Sequence, residues 1–192
     1  MVARRSRFDP RTALAALESN GVDYVVIGGL AQVLRGVDEI TDGLDICPAF
    51  GADNLRQLNA AAAQIDARTP AGEPVTITED ALTAGPVLSM STDAGTLQIV
   101  ASPEGAPGGF VDLRRAATKE HLGHGLQPLV ASAGDLARLA AALHREQDLP
   151  RLKQLRRIME LEVARQPARP QANQPARAPA RKPIAPGPRL RP

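Results

Sequence analysis

The chain has 192 residues, enough for one domain with a real core and too few for two large ones; 43% are hydrophobic, 23% charged and only 2% aromatic, so the core must rest on Leu, Val, Ile and Ala. No apolar run approaches the roughly 18 residues that span a bilayer, and the basic start MVARRSRFDP is not followed by an apolar signal segment, so a soluble, cytoplasmic protein without membrane contact is expected. The single Cys47 excludes an internal disulfide or a cysteine metal cluster and reads as a small buried residue.

In chain order, residues 1–8 read as an arm. Asp9-Pro10 is a helix N-cap with proline in the first turn, and the helix that follows ends at Asn20-Gly21. Tyr24 to Ile27 is a short apolar strand, Gly28-Gly29 a turn, and Leu30, Val33 and Leu34 mark a helix stopped at Gly36. After a polar loop, Gly43 to Cys47 is a second strand, with Gly43, Asp45 and Cys47 on one face and Leu44 and Ile46 on the other. Asp53 to Gln64 has helical spacing of Leu55, Leu58 and Ala62. Pro86 to Ala101 reads as a β-hairpin turning at Thr92-Asp93-Ala94-Gly95. Phe110 to Ala117 is expected as a short helix and Gln127 to Ala131 as an extended segment. Ser132 and Asp135 resemble a capping box opening a helix to about Gln147. Leu149 to Ala164 is a last helix with Leu152, Leu155, Ile158, Met159 and Val163 on one side and Arg151, Lys153, Arg156 and Arg157 on its wet side. The folded unit is placed at 9–165, with its helical end at about 132–164.

Residues 166–192 hold eight of the 17 prolines and six of the 23 basic residues with no acid, leaving 17 basic against 21 acidic residues in the rest, a net of −4. Such a tail has little to bury and reads as disordered and partly polyproline II. Its charge gives it weak, salt-sensitive attraction to nucleic acid or an acidic partner, without any aromatic residue to stack on a base.

The informative segment is VVIGGLAQVLRGVDEITDGLDICP, Val25 to Pro48. A glycine pair between strand and helix lets backbone N–H groups approach an anion, and Asp45, held on a rigid strand close to that turn, is an acid that can face a hydrated divalent cation. The bland readings are a plain tight turn and a polar strand residue. His121 and His124 have metal-compatible spacing but glycine neighbours that point to an exposed loop, and His144 reads as solvated. No Walker loop and no Ser-His-Asp or Cys-His arrangement is identifiable.

GGLAQVLRG followed by VDEITDGLDICP resembles the signature of minimal nucleotidyltransferases, including abortive-infection and toxin-type members of bacterial toxin–antitoxin pairs. The resemblance reaches, more weakly, the hairpin and SAGDLARLAAALHREQDLPRLKQL, covering roughly residues 10 to 160. It implies an α/β (α+β) fold: a mixed sheet with flanking helices and a small helical C-terminal part. By position it implies a nucleotide-binding role for Gly28, Gly29, Thr41 and Arg145 and a catalytic and metal-binding role for Asp45, with Mg²⁺ and an NTP as cofactor and substrate. Gly43 and Gln98 stand where the other two acids are expected, and Ala140 stands where a helical lysine is common. The resemblance therefore implies a catalytically degenerate protein that binds a nucleotide, an RNA or an antitoxin-like protein. The alternatives are an active transferase moving NMP to RNA or protein, with a loop acid (Asp38, Glu39 or Asp42) brought in, and a purely structural or partner-binding module.

Overall fold

The computed structural model describes residues 8–165; the expectations for the tail and most of the N-terminal arm lie outside them. The elements are α1 (Pro10–Ser19), β1 (Tyr24–Ile27), α2 (Gly28–Leu34), β2 (Gly43–Pro48), α3 (Ala52–Gln64), α4 (Glu79–Thr83), β3 (Leu88–Thr92), β4 (Gly95–Ile99), α5 (Phe110–Arg114), β5 (Thr118–Lys119), β6 (Leu129–Val130), α6 (Ala133–Ala142), a 3₁₀ turn (Glu146–Asp148) and α7 (Leu149–Arg165).

The strands form one six-stranded sheet in the order β3-β4-β2-β1-β6-β5. β1 runs antiparallel to β2 and parallel to β6, β2 runs parallel to β4, and the two outer pairs are antiparallel. The expected mixed α/β architecture is what the structure shows. All four residues of β1 are buried, as suits a central strand with a near-continuous apolar sequence. The core joins Leu14 and Leu17 of α1, Leu44 and Ile46 of β2, Leu58 of α3 and Leu97 of β4, each virtually without solvent contact. Burial of this kind contributes about 1.5–3 kcal/mol per large aliphatic side chain, and it replaces the missing aromatics. Cys47 is buried, as expected; burial pushes its thiol up to about 12.

The predicted caps are present. Asp9 accepts hydrogen bonds from the Arg11 and Thr12 amides and the Thr12 hydroxyl, with Pro10 opening α1. Ser132 Oγ accepts from the Asp135 amide at 3.1 Å and starts α6. Three expectations needed correction. The helix from Ser132 ends at Ala142, because the chain turns at His144 with φ 50 and re-enters helix through the 3₁₀ turn. On α7, Leu155 is buried but Met159 and Val163 are exposed, so only the first half of its apolar side meets the core. The segment after Phe110 leaves helix at Arg114 to enter β5, which the sequence did not suggest, and α4 is likewise additional.

Two polar devices fix the elements around β1. Asn54 on α3 accepts from the Asp23 amide (2.7 Å) and donates to Asp23 O (3.0 Å) and Ala49 O (2.7 Å), tying the entry of β1 to the exit of β2. Arg35, just past α2, donates to Ala131 O (2.8 Å), Val130 O (2.7 Å), Thr118 Oγ1 (2.9 Å) and Glu120 Oε1 (2.5 Å). It clamps the end of α2 to β5, β6 and the segment leading into α6. No described helix is long and apolar enough to cross a membrane.

Candidate functional site

The site begins where β1 becomes α2 without a loop. Gly28 has φ 63, and a Cβ built there would stand 1.8 Å from Asp45 Oδ2; at Gly29 a Cβ would stand 2.8 Å from Thr41 Oγ1. Each glycine therefore makes room for one polar side chain, and only glycine combines that φ with that approach at position 28. Thr41 itself donates to Gly43 O at 3.0 Å, which holds the loop before β2 against the turn.

Register places Asp45 opposite Ile27 on β1 and opposite Gln98 on β4. Gln98 is thus the cross-strand neighbour of Asp45, and Gly43 pairs with Thr96. The floor carries one strand carboxylate beside a neutral amide. Burial is the main cause that raises the Asp45 carboxyl above the ordinary range; the Gly29 backbone amide opposes it, while the charges of Asp42 and Glu39 raise it further. A half-buried acid without a strong cationic partner is the pattern of a ligand-facing group.

Asp45 opens onto a cleft of about 440 Å³, whose lining includes Gly28, Gly29, Gln98, Arg145 and Ala140. Of the residues implied by the resemblance, Thr41 and Gly43 are absent from its lining, as are the loop acids Asp38, Glu39 and Asp42. Leu136, Leu139 and Leu143 from the α6 side and Pro86 and Val87 from the other side supply apolar walls. That is the size and composition of a small-molecule site. A second concavity of about 360 Å³, between Glu18, Tyr24, Phe110 and Arg114, holds neither glycine turn nor strand acid.

The structure turns one of the three loop acids, Glu39, inward and adds residues that the sequence did not single out for the site. Arg151, expected on the wet side of α7, reaches into the cleft instead. It pairs with Glu39 from the loop before β2 and with Asp148 at 3.0 Å. Asp148 is buried and Glu39 nearly so, with side-chain exposures of 6% and 11%. Gln32 of α2 also lines the cleft, 8% exposed, and its Oε1 has no hydrogen-bond partner; neither has Glu39 Oε2. The one signal available was the clustering of Asp38, Glu39 and Asp42 before β2, which does not say which acid turns inward. Arg145 is exposed at the rim and forms no ion pair with the described residues, and His121, His124 and His144 are exposed.

Two-metal phosphoryl transfer needs several carboxylates around two divalent ions. Among the described residues no group of three or more His, Cys, Asp or Glu side chains is arranged to hold a metal. With Gln98 beside Asp45 and no side chain at 43, the donor set does not fit two ions.

No family model matches the chain, and no curated protein matches it. Among solved structures, a Thermotoga maritima protein described as a "putative nucleotidyltransferase" is similar at 17% identity and a TM-score of 0.41, covering 81% of this chain and 91% of that one. That neighbour is distant.

Proposed function

We propose that this protein binds a nucleotide in the Asp45 cleft and does not transfer its nucleotidyl group. The observation that supports this is the register pair Asp45–Gln98: a single strand carboxylate, pressed against the Gly28–Gly29 turn, with a neutral amide where a second charged ligand would have to stand. The cleft is large enough for a nucleoside, its aliphatic walls suit a base, and Arg145 at the rim is a cation available to a phosphate. The resemblance of GGLAQVLRG and VDEITDGLDICP to minimal nucleotidyltransferases points to the same ligand. A toxin-type setting and an antitoxin-like or RNA partner rest on that resemblance alone.

In this reading the residues have separate tasks. Gly28 and Gly29 keep backbone and ligand close together, Thr41 braces the loop against Gly29, Asp45 orients the ligand's polar groups, and Arg145 draws the anionic end. Losing one charged ligand commonly slows a reaction on the order of 10²-fold or more, so a centre lacking two retains binding more readily than turnover.

Isothermal titration of the full chain with ATP, GTP, CTP and UTP in the presence of Mg²⁺ tests this. Saturable binding of at least one triphosphate, weakened by Arg145→Ala and by Asp45→Ala, is expected. No binding of any of the four up to millimolar concentration would overturn it.

A further inference from the structure

The concavity of about 360 Å³ at the start of β1 shares no lining residue with the Asp45 cleft, which stands at the other end of that strand. The buried part of its lining is mainly apolar, with Val22, Phe110 and Pro128. Tyr24 belongs to the same lining, 5% exposed, and its hydroxyl is buried without any hydrogen-bond partner. Burial, and after it the charge of Glu18, raise the phenol above its ordinary pKa, so the group stays a protonated donor that lacks an acceptor. Four charged residues border the same cavity: Glu18 and Asp23 from the end of α1 and the approach to β1, and Arg114 and Lys119 from the end of α5 and from β5. None of the four forms an ion pair with the described residues. Glu18 is held instead by the Gln127 amide, which donates to its Oε1 at 3.0 Å and its Oε2 at 3.2 Å. Arg114 lies over the Phe110 ring, 5.7 Å from its centroid. Two charges of each sign thus surround one cavity without neutralising each other.

We infer that this concavity is a second binding site, and that it takes a free α-amino acid with an apolar side chain. Arg114 and Lys119 face its carboxylate, Glu18 and Asp23 its ammonium, and Val22, Phe110 and Pro128 its side chain. The Tyr24 hydroxyl is the donor left over for a carboxylate oxygen. A simple anion of this size meets two carboxylates here, and a simple cation meets two basic groups; like-charge approach is unfavourable in either case. A nucleotide brings still more negative charge and finds no glycine turn in this lining. A zwitterion satisfies both pairs at once, which is the complementarity that fixes specificity and orientation. The volume and the composition, an apolar lining with a few convergent polar groups, are those of a small-molecule site.

L-Leucine and L-phenylalanine are the probes, titrated into the full chain at low salt and followed by saturation-transfer NMR. N-acetyl-L-leucine, which lacks the ammonium, and L-leucinamide, which lacks the carboxylate, are run beside them. Saturable binding of at least one amino acid is expected, with each blocked analogue of leucine about tenfold weaker or more, because each loses a charge-assisted pair. Glu18→Gln, which keeps an acceptor for the Gln127 amide, and Arg114→Gln should each weaken binding by about tenfold, and Tyr24→Phe by a few-fold. Tyr24→Phe should cost no stability, since the hydroxyl it removes has no partner. The blocked analogues are tested on the native chain, so the experiment decides even where a variant fails to fold. Neither amino acid binding at millimolar concentration overturns the inference. So does binding of both blocked analogues as tight as that of leucine, or binding indifferent to Glu18→Gln and Arg114→Gln alike. Displacement of the amino acid by ATP would place it in the Asp45 cleft and overturn the inference as well.

Discussion

A side chain on residue 28 and the carboxylate of Asp45 claim the same volume: a Cβ on Gly28 would lie 1.8 Å from Asp45 Oδ2 and 2.8 Å from Asp45 Cβ. With φ at 63, Gly28→Ala meets both a left-handed backbone and a collision. Strain and overpacking together should cost about 2–4 kcal/mol in urea unfolding. Asp45→Ala in the same chain should return only part of it, because Asp45 Cβ is itself too close. A Gly28→Ala protein as stable as the native one would show that the turn relaxes freely.

The raised carboxyl of Asp45 sets a pH dependence. Its proton is held more tightly in the folded chain than in the unfolded one, where the group titrates near 3.8, so the ionised form opposes folding. That penalty is absent below the unfolded value and grows as pH rises through the folded one. Asp45→Asn should therefore be more stable than the native protein at pH 7, with the difference vanishing as pH falls toward 4. Urea unfolding of both proteins across that range checks it; an Asn variant less stable at pH 7 would mean that the carboxylate has a cationic partner in solution.

Arg35 is a structural clamp and no part of the cleft. Its side chain is 10% exposed and donates to four oxygens at 2.5–2.9 Å. Arg35→Ala removes one partner of a largely buried ion pair and leaves two carbonyls short of a donor. Breaking a fully buried pair costs about 3–5 kcal/mol, and with Glu120 30% exposed the expected loss is about 2–4 kcal/mol. Arg35→Lys should not restore it, since an ammonium cannot reproduce the planar fork. Chemical denaturation of the three proteins decides this.

Reinstating the missing acids separates the two positions. A Cβ at Gly43 would sit 3.1 Å from Thr96 O, so Gly43→Asp requires the β4 backbone to give and should cost about 1 kcal/mol. Gln98→Asp instead sets a carboxylate directly beside Asp45, a like-charge cross-strand pair that destabilises the metal-free chain. Thermal melts should show Gln98→Asp lowered in EDTA and recovering in Mn²⁺ by more than the native protein gains. Equal Mn²⁺ effects on both would place the two strand positions apart in solution.

Much of the fold was legible because its elements follow simple periods. The alternation in Gly43–Cys47, the hairpin at Asp93-Ala94 and the caps at Asp9 and Ser132 are local chemistry, and the structure has them where the sequence puts them. The meeting of Gly28, Asp45 and Gln98 in one cleft also follows from short strands of matched register. What was hidden depends on packing between distant segments. Nothing local distinguishes Arg151 from Lys153 or Arg156 on a helix; Arg151 lines the cleft, where it pairs with Asp148 and also with Glu39 of the loop before β2. Glu39 in turn is inward because α7 holds its loop. Strand β5 has two exposed residues, a pattern that reads as loop until Arg35 and β6 pair with it.

The central claim, nucleotide binding without transfer, is tested most directly by incubating the purified full chain with α-labelled NTPs, RNA and Mg²⁺ or Mn²⁺ and following label into RNA and into the protein itself. With Gln98 beside Asp45 and no side chain at 43, no label above background is expected in either, although the same triphosphates bind. Labelling that is clear in the native protein and lost in Asp45→Asn would contradict the account and establish an active transferase.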